Sequence, residues 1–217
     1  MRSRPNRAVA VVLALVAAAW AFVLLPPQQL AWSGAYAMPR WLFELDRLPV
    51  YAGVRAWLTS LGATDFYLVF GAAASVSFAL IWFATGPAFA VLGWSGRVLG
   101  GLVLAGAVVT LLSYLNHPES APVHWLWGVE ALVLVAIGLW AIVVAVAAPR
   151  RAGVPSWERI LLAATLPLLV GATALLSYYP HGSLVGLGLE AAVLAGWGAR
   201  ADATASAPTG ATALDAA

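Results

Sequence analysis

Cysteine and lysine are both absent, so all 11 basic residues of the 217-residue chain are arginine. Without thiols there are no disulfides, thiolate metal sites, redox pairs or thiol nucleophiles. Charge of either sign is scarce: 9% of residues, against about 25% in an ordinary soluble domain. The arginines gather near the ends of apolar runs and form no continuous basic stripe, which excludes nucleic acid as a partner. Arginine without lysine, beside abundant alanine, is the composition of a GC-rich bacterial genome.

What is present is apolar. Hydrophobic residues make up 63% of the chain, and polar residues fall in short patches between apolar runs of about twenty, the length that crosses a hydrocarbon core of about 30 Å. The fold class this predicts is an all-α integral membrane protein, a bundle of about six transmembrane helices in three hairpins. Interfacial amphipathic helices occupy its first extracytoplasmic loop. The lipid bilayer is then the principal partner, with a membrane protein or a second copy of the chain as a further one.

The expected spans cover residues 8–25, 66–85, 98–115, 125–148, 160–179 and 183–199. The first follows an arginine-rich stretch, residues 1–7, and is closed by Pro26 and Pro27. It is too long for a signal-peptide core, and Ala35-Tyr36-Ala37 lies too far beyond it for cleavage, so an uncleaved anchor is expected. Between 39 and 62, Trp41, Leu42 and Leu45, then Val50, Val54, Trp57, Leu58 and Leu61, recur at helical spacing opposite Arg40, Glu44, Arg47 and Arg55. Pro49 separates these two amphipathic pieces, which suit a membrane surface. Arg2, Arg4, Arg7, Arg97, Arg150, Arg151, Arg159 and Arg200 alternate in side with Arg40, Arg47 and Arg55. The positive-inside rule puts the larger set, and both termini, in the cytoplasm of a multi-pass protein of the bacterial plasma membrane. Residues 200–217 lack periodicity and read as a disordered cytoplasmic tail.

Spans three and four resemble spans five and six. Leu111-Leu112-Ser113-Tyr114 matches Leu175-Leu176-Ser177-Tyr178, His117 matches His181, and Gly128-Val129-Glu130-Ala131 matches Gly188-Leu189-Glu190-Ala191. This is the pattern of a parallel duplication. Glu130 and Glu190 then sit six or seven residues inside their spans, roughly 10 Å deep at 1.5 Å per residue. An acid at that depth is costly and faces a partner or a watery cavity. The pair are candidates for a proton or cation site, with Ser113, Tyr114, Ser177 and Tyr178 as their partners. The alternative is that each acid bonds its own repeat's Ser-Tyr pair and fixes helix packing.

His117, His124 and His181 share the outer face, where imidazole and carboxylate could hold zinc or copper, but no His-x3-His spacing supports a site. Gly93-Trp94-Ser95-Gly96 resembles the Gly-x-Ser-Gly of rhomboid proteases, yet its serine falls on the face opposite every histidine, so no dyad can form. No cofactor is implied. Gly71 with Ser75, Gly96 with Gly100, and Gly186, Gly188, Ala192 and Gly196 are small residues at close-packing spacing, which places the sixth span centrally. Three roles follow: a non-catalytic accessory or structural membrane component, a small transporter using the paired carboxylates, and a membrane enzyme acting on lipid or quinone.

Overall fold

In the computed structural model the described residues are 7–34, 38–147 and 154–197, and they are helical with no strand among them. The tail 200–217, Ala35-Tyr36-Ala37, and Arg2, Arg4, Arg150, Arg151 and Arg200 lie outside them. The helices are α1 (Arg7–Ser33), α2 (Arg40–Asp46), α3 (Pro49–Ser60), α4 (Phe66–Ala73), α5 (Ser75–Val91), α6 (Gly93–Leu115), α7 (Val129–Ala147), α8 (Ser156–Ala163), α9 (Thr165–Leu176) and α10 (His181–Trp197). Four are long and apolar enough to cross a membrane: α1, the continuous α4–α5 unit, α6, and α7 with the 3-10 turn before it. A fifth arises if α8 and α9, bent by 53° at their junction, form one broken span, while α10 is apolar but shorter.

Helix ends differ most from expectation at α1. Pro26 and Pro27 lie inside it, and the helix runs on to Ser33. Proline removes the N–H that would bond the carbonyl four residues earlier. The carbonyl orphaned by Pro27 is that of Val23, and the Tyr51 hydroxyl donates to it at 3.0 Å. Burial and the nearby Asp46 carboxylate push the Tyr51 phenol above its ordinary pKa, which keeps it a donor. Tyr51 stands on α3, which is itself tied to α2 by the Arg55–Asp46 ion pair at 2.7 Å. The expected connector helices are therefore present, at 40–46 and 49–60. Leu42 of α2 packs with Leu25, Met38 and Tyr178, while Val50, Trp57 and Leu61 of the α3 region stay exposed.

The bundle closes around α10, which packs on α1, α5 and α9. Small residues set these approaches. A Cβ on Gly188 would stand 2.8 Å from the Ala18 backbone nitrogen of α1, and one on Gly186 would stand 2.8 Å from the Ala172 Cβ of α9. Ala14, Ala17, Ala18 and Ala21 give α1 the matching flat face. Gly138 of α7 meets Leu166 in the same way, and Gly71 of α4 lies under the Tyr114 ring of α6. The central position expected for the last helix follows from this packing.

Steric room decides which glycines matter. Gly188→Ala is expected to cost about 1–3 kcal/mol through overpacking against α1. Gly101→Ala, on the open face of α6 with nothing within 4 Å, should leave thermal stability in detergent unchanged or slightly raised, because alanine is the better helix former. Equal losses at both positions would contradict the packing described.

Candidate functional site

Polar side chains gather at two places inside the bundle. The first is at the end that carries α2 and α3. The hydroxyls of Tyr67 (α4), Tyr114 (α6) and Tyr178 (the α9–α10 turn) meet there, and Gln28 of α1 donates through Nε2 to the Tyr178 hydroxyl at 3.3 Å. The Trp127 indole donates to Tyr67 at 3.2 Å. Outward from Tyr67, its ring packs on His117, whose Nε2 lies 3.2 Å from Asp65 Oδ2. Asp65 also caps α4 by accepting from the Leu68 N–H at 2.9 Å.

Glu130 belongs to this cluster. It is the second residue of α7, in the first turn, where a helix N-terminus favours negative charge. Ser113 stands beside its carboxyl and accepts from the Gly128 N–H at 2.9 Å. The Tyr179 hydroxyl donates to the Glu130 carbonyl at 3.4 Å.

Glu190 is elsewhere. It is the tenth residue of α10, about 13 Å along that helix at 1.5 Å per residue. Its Oε1 accepts from the Thr165 hydroxyl at 2.7 Å, which stands at the α8–α9 break. Together they line a cavity of about 20 Å³ with Thr85, Val103, Ile137 and Leu162, room for about one water molecule. Glu130 is not among the residues that line it. No hydrogen bond or shared cavity joins the two acids among the described residues, so the paired carboxylate site expected from the repeat does not assemble. The reason is where each helix begins. A long connection holding the 3-10 turn His124–Leu126 precedes α7, whereas only four residues separate α9 from α10. Aligned glutamates therefore fall at different distances from their helix starts.

The other aligned residues also part company. Ser113 lies within α6, but Ser177 ends α9 in the left-handed region at φ 61°, and Tyr178 faces Gln28 rather than Glu190. His117 and His124 stay in the connection between α6 and α7, bonded to the Tyr114 and Asn116 carbonyls at 2.8 and 3.1 Å. His181, expected at the membrane surface, is instead fully buried, with Nε2 3.3 Å from the Phe70 carbonyl. The three histidines therefore do not form a ligand set, and no group of three metal-binding side chains occurs among the described residues. Ser95 is buried in the first turn of α6 and turns back on the Leu92 carbonyl at 3.5 Å.

Several polar residues here carried no signal of their own in the sequence. Gln28 and Gln29 followed a Pro-Pro that read as a span end, yet both are buried. Thr85 and Thr165 were hydroxyls within apolar runs. Buried polar atoms with no hydrogen-bond partner are Gln28 Oε1, Gln29 Oε1, Thr110 Oγ1, Glu130 Oε2, His181 Nδ1 and Glu190 Oε2. Comparison with protein-family models, with curated proteins and with solved structures found no match, so the functional reading rests on this geometry.

Proposed function

We propose that this chain is a non-catalytic accessory or structural component of the bacterial plasma membrane. Its six spans form three hairpins: α1 with α4–α5, α6 with α7, and α8–α9 with α10. On this reading α10 crosses the bilayer like the rest, and α2 and α3 lie in the outer membrane surface with Trp41 and Trp57 at the headgroups. Both termini are cytoplasmic. The second and third hairpins descend from one duplicated unit whose copies have since diverged in their connections.

The observation that carries the accessory role is the separation of the two acids. Glu130 stands beside Ser113, with its carbonyl accepting from Tyr179, in a cluster that ties four helices together at one end. Glu190 is bonded across helices to Thr165. Both therefore act first as cross-links between helices, and a buried polar group so bonded specifies packing. A membrane-protein partner or a second copy would dock on the outer, lipid-facing side of such a scaffold. A second reading, a small transporter, is favoured by one feature: the broken α8–α9 helix with an acid at its break, the arrangement in which transporters bind small solutes.

Two measurements test this section. Because the chain has no cysteine, single substitutions give unique labels. Ser60→Cys, at the end of α3, should react with an impermeant maleimide in intact spheroplasts, and Arg97→Cys, in α6, only after permeabilisation. The reverse pattern would invert the topology. For the role itself, purified protein is placed in liposomes containing a pH-sensitive dye. The accessory reading expects proton leak equal to that of empty liposomes, both for the unaltered chain and for Glu130→Gln and Glu190→Gln. A flux that the unaltered chain supports and Glu190→Gln abolishes would replace the accessory role with transport.

A further inference from the structure

At the α8–α9 break one threonine hydroxyl touches two acceptors, and only one of them can be given its proton. We propose that Glu190 is a proton-binding site: in the folded protein at neutral pH it is the neutral acid, and the proton between it and Thr165 belongs to the carboxyl.

The argument starts from a count of protons. A threonine hydroxyl has one proton and two lone pairs. Thr165 Oγ1 lies 2.8 Å from the Leu162 carbonyl and 2.7 Å from Glu190 Oε1. Directed from Thr165 to an ionised Glu190, the second bond uses the only proton and leaves the first contact without one. The carbonyl can only accept, whereas a neutral acid can donate. With the proton on Oε1 both contacts are hydrogen bonds, in a relay from Glu190 of α10 through Thr165 of α9 to the Leu162 carbonyl of α8.

Charge leads to the same assignment. Glu190 is 4% exposed, and a carboxylate so placed is costly without a positive charge beside it. Among the residues that line its cavity Glu190 is the one charged or titratable group, and the rest are apolar except Thr85 and Thr165. Helices α5 and α9 carry no titratable side chain. Those of the other neighbouring helices, Arg7, Arg97, Tyr114, Glu130, Glu158 and Arg159, do not line the cavity, nor does His181 of α10 itself. Arg159, six residues before Thr165, turns instead to the Ala145 carbonyl at 3.2 Å.

The neutral acid also accounts for the oxygen that has no partner. Oε2 is buried and unbonded, which costs more for a charged group than for the carbonyl oxygen of an acid. An apolar, partly open cavity of about 20 Å³ beside it suits a proton and at most one water. Removing the proton would leave two acceptors facing the single proton of Thr165 and weaken the link between α8, α9 and α10. Protonation is thereby coupled to the packing of the broken helix. The site requires only the bundle, and stands whether the chain is an accessory component or a carrier.

Infrared spectroscopy of the full-length purified protein in detergent reads the proton directly, because a neutral acid has a carbonyl stretch that a carboxylate lacks. At neutral pH the unaltered protein is expected to show an acid band that Glu190→Gln removes and Glu130→Gln leaves in place. An acid region unchanged by Glu190→Gln would overturn the proposal. Thermal unfolding gives a second readout. If the fold keeps Glu190 neutral while the unfolded chain ionises it, folding takes up a proton and stability falls as pH rises. Between about pH 5 and pH 8, Tm of the unaltered protein is expected to fall several degrees further than that of Glu190→Gln, whose amide donates to Thr165 at every pH. Equal falls in the two proteins would overturn the proposal. If Glu190→Gln fails to fold, Thr165→Val decides. Loss of its hydroxyl should move the acid band to higher wavenumber, and a band that is absent or unmoved would overturn the assignment.

Discussion

Backbone carbonyls exposed by a break in a helix must find a donor, because apolar surroundings offer no water to supply one. Several of this bundle's cross-links answer that constraint. Pro27 frees the Val23 carbonyl, and Tyr51 reaches it from α3. At Ala74 the chain tightens into three-residue turns, and the nearby Ala73 and Phe70 carbonyls accept from Trp20 of α1 at 2.8 Å and His181 of α10 at 3.3 Å. The last turn of α7 offers the Ala145 carbonyl, which Arg159 of α8 takes at 3.2 Å. At the α8–α9 junction Thr165 serves Leu162 and Glu190 together. Each donor comes from beyond the break it serves, so the breaks that bend the helices also join them.

Small residues make these bonds possible. Trp20 and Ser77 link α1 to the α4–α5 unit, Ser77 by donating to the Ala17 carbonyl at 2.9 Å, and they reach because the alanine face of α1 lets its neighbours approach closely. The same applies between α9 and α10, where Thr173 and Ser183 share a hydrogen bond of 2.6 Å beside Gly182 and Gly186. Where lipid surrounds a bundle there is no hydrophobic drive between helices, so close packing and interhelical hydrogen bonds carry the association.

The sequence made the apolar runs, the two connector helices and the central last helix legible, because each depends on composition and period. It made Glu130 and Glu190 legible as individuals, since an acid in an apolar run stands out. Their relationship was not legible. Aligning the two stretches of sequence equates the two positions, but whether they meet depends on where α7 and α10 begin, and those starts are set by connections of unequal length. Gln28 was hidden for a related reason: Pro26-Pro27 ends many helices, whereas here the helix runs on to Ser33 and the Val23 carbonyl that Pro27 leaves free is served by Tyr51, 28 residues further along the sequence. His181 likewise read as a surface residue until the carbonyl it serves, on α4, was brought beside it by the fold.

The central claim is that side-chain donors from neighbouring helices close the broken backbone. The most direct measurement is the thermal stability in detergent of Trp20→Phe and Tyr51→Phe, each of which deletes one donor and leaves an aromatic ring in place, beside Trp57→Phe on the exposed face of α3, which makes the same change of ring size as Trp20→Phe. A lost bond of this kind costs about 0.5–1.5 kcal/mol, and more when the acceptor is left buried and unpaired. The account predicts that Trp20→Phe and Tyr51→Phe each lower stability by about that amount, that their double mutant loses roughly the sum, and that Trp57→Phe is unchanged. Stability equal to the unaltered protein in both donor variants would contradict it.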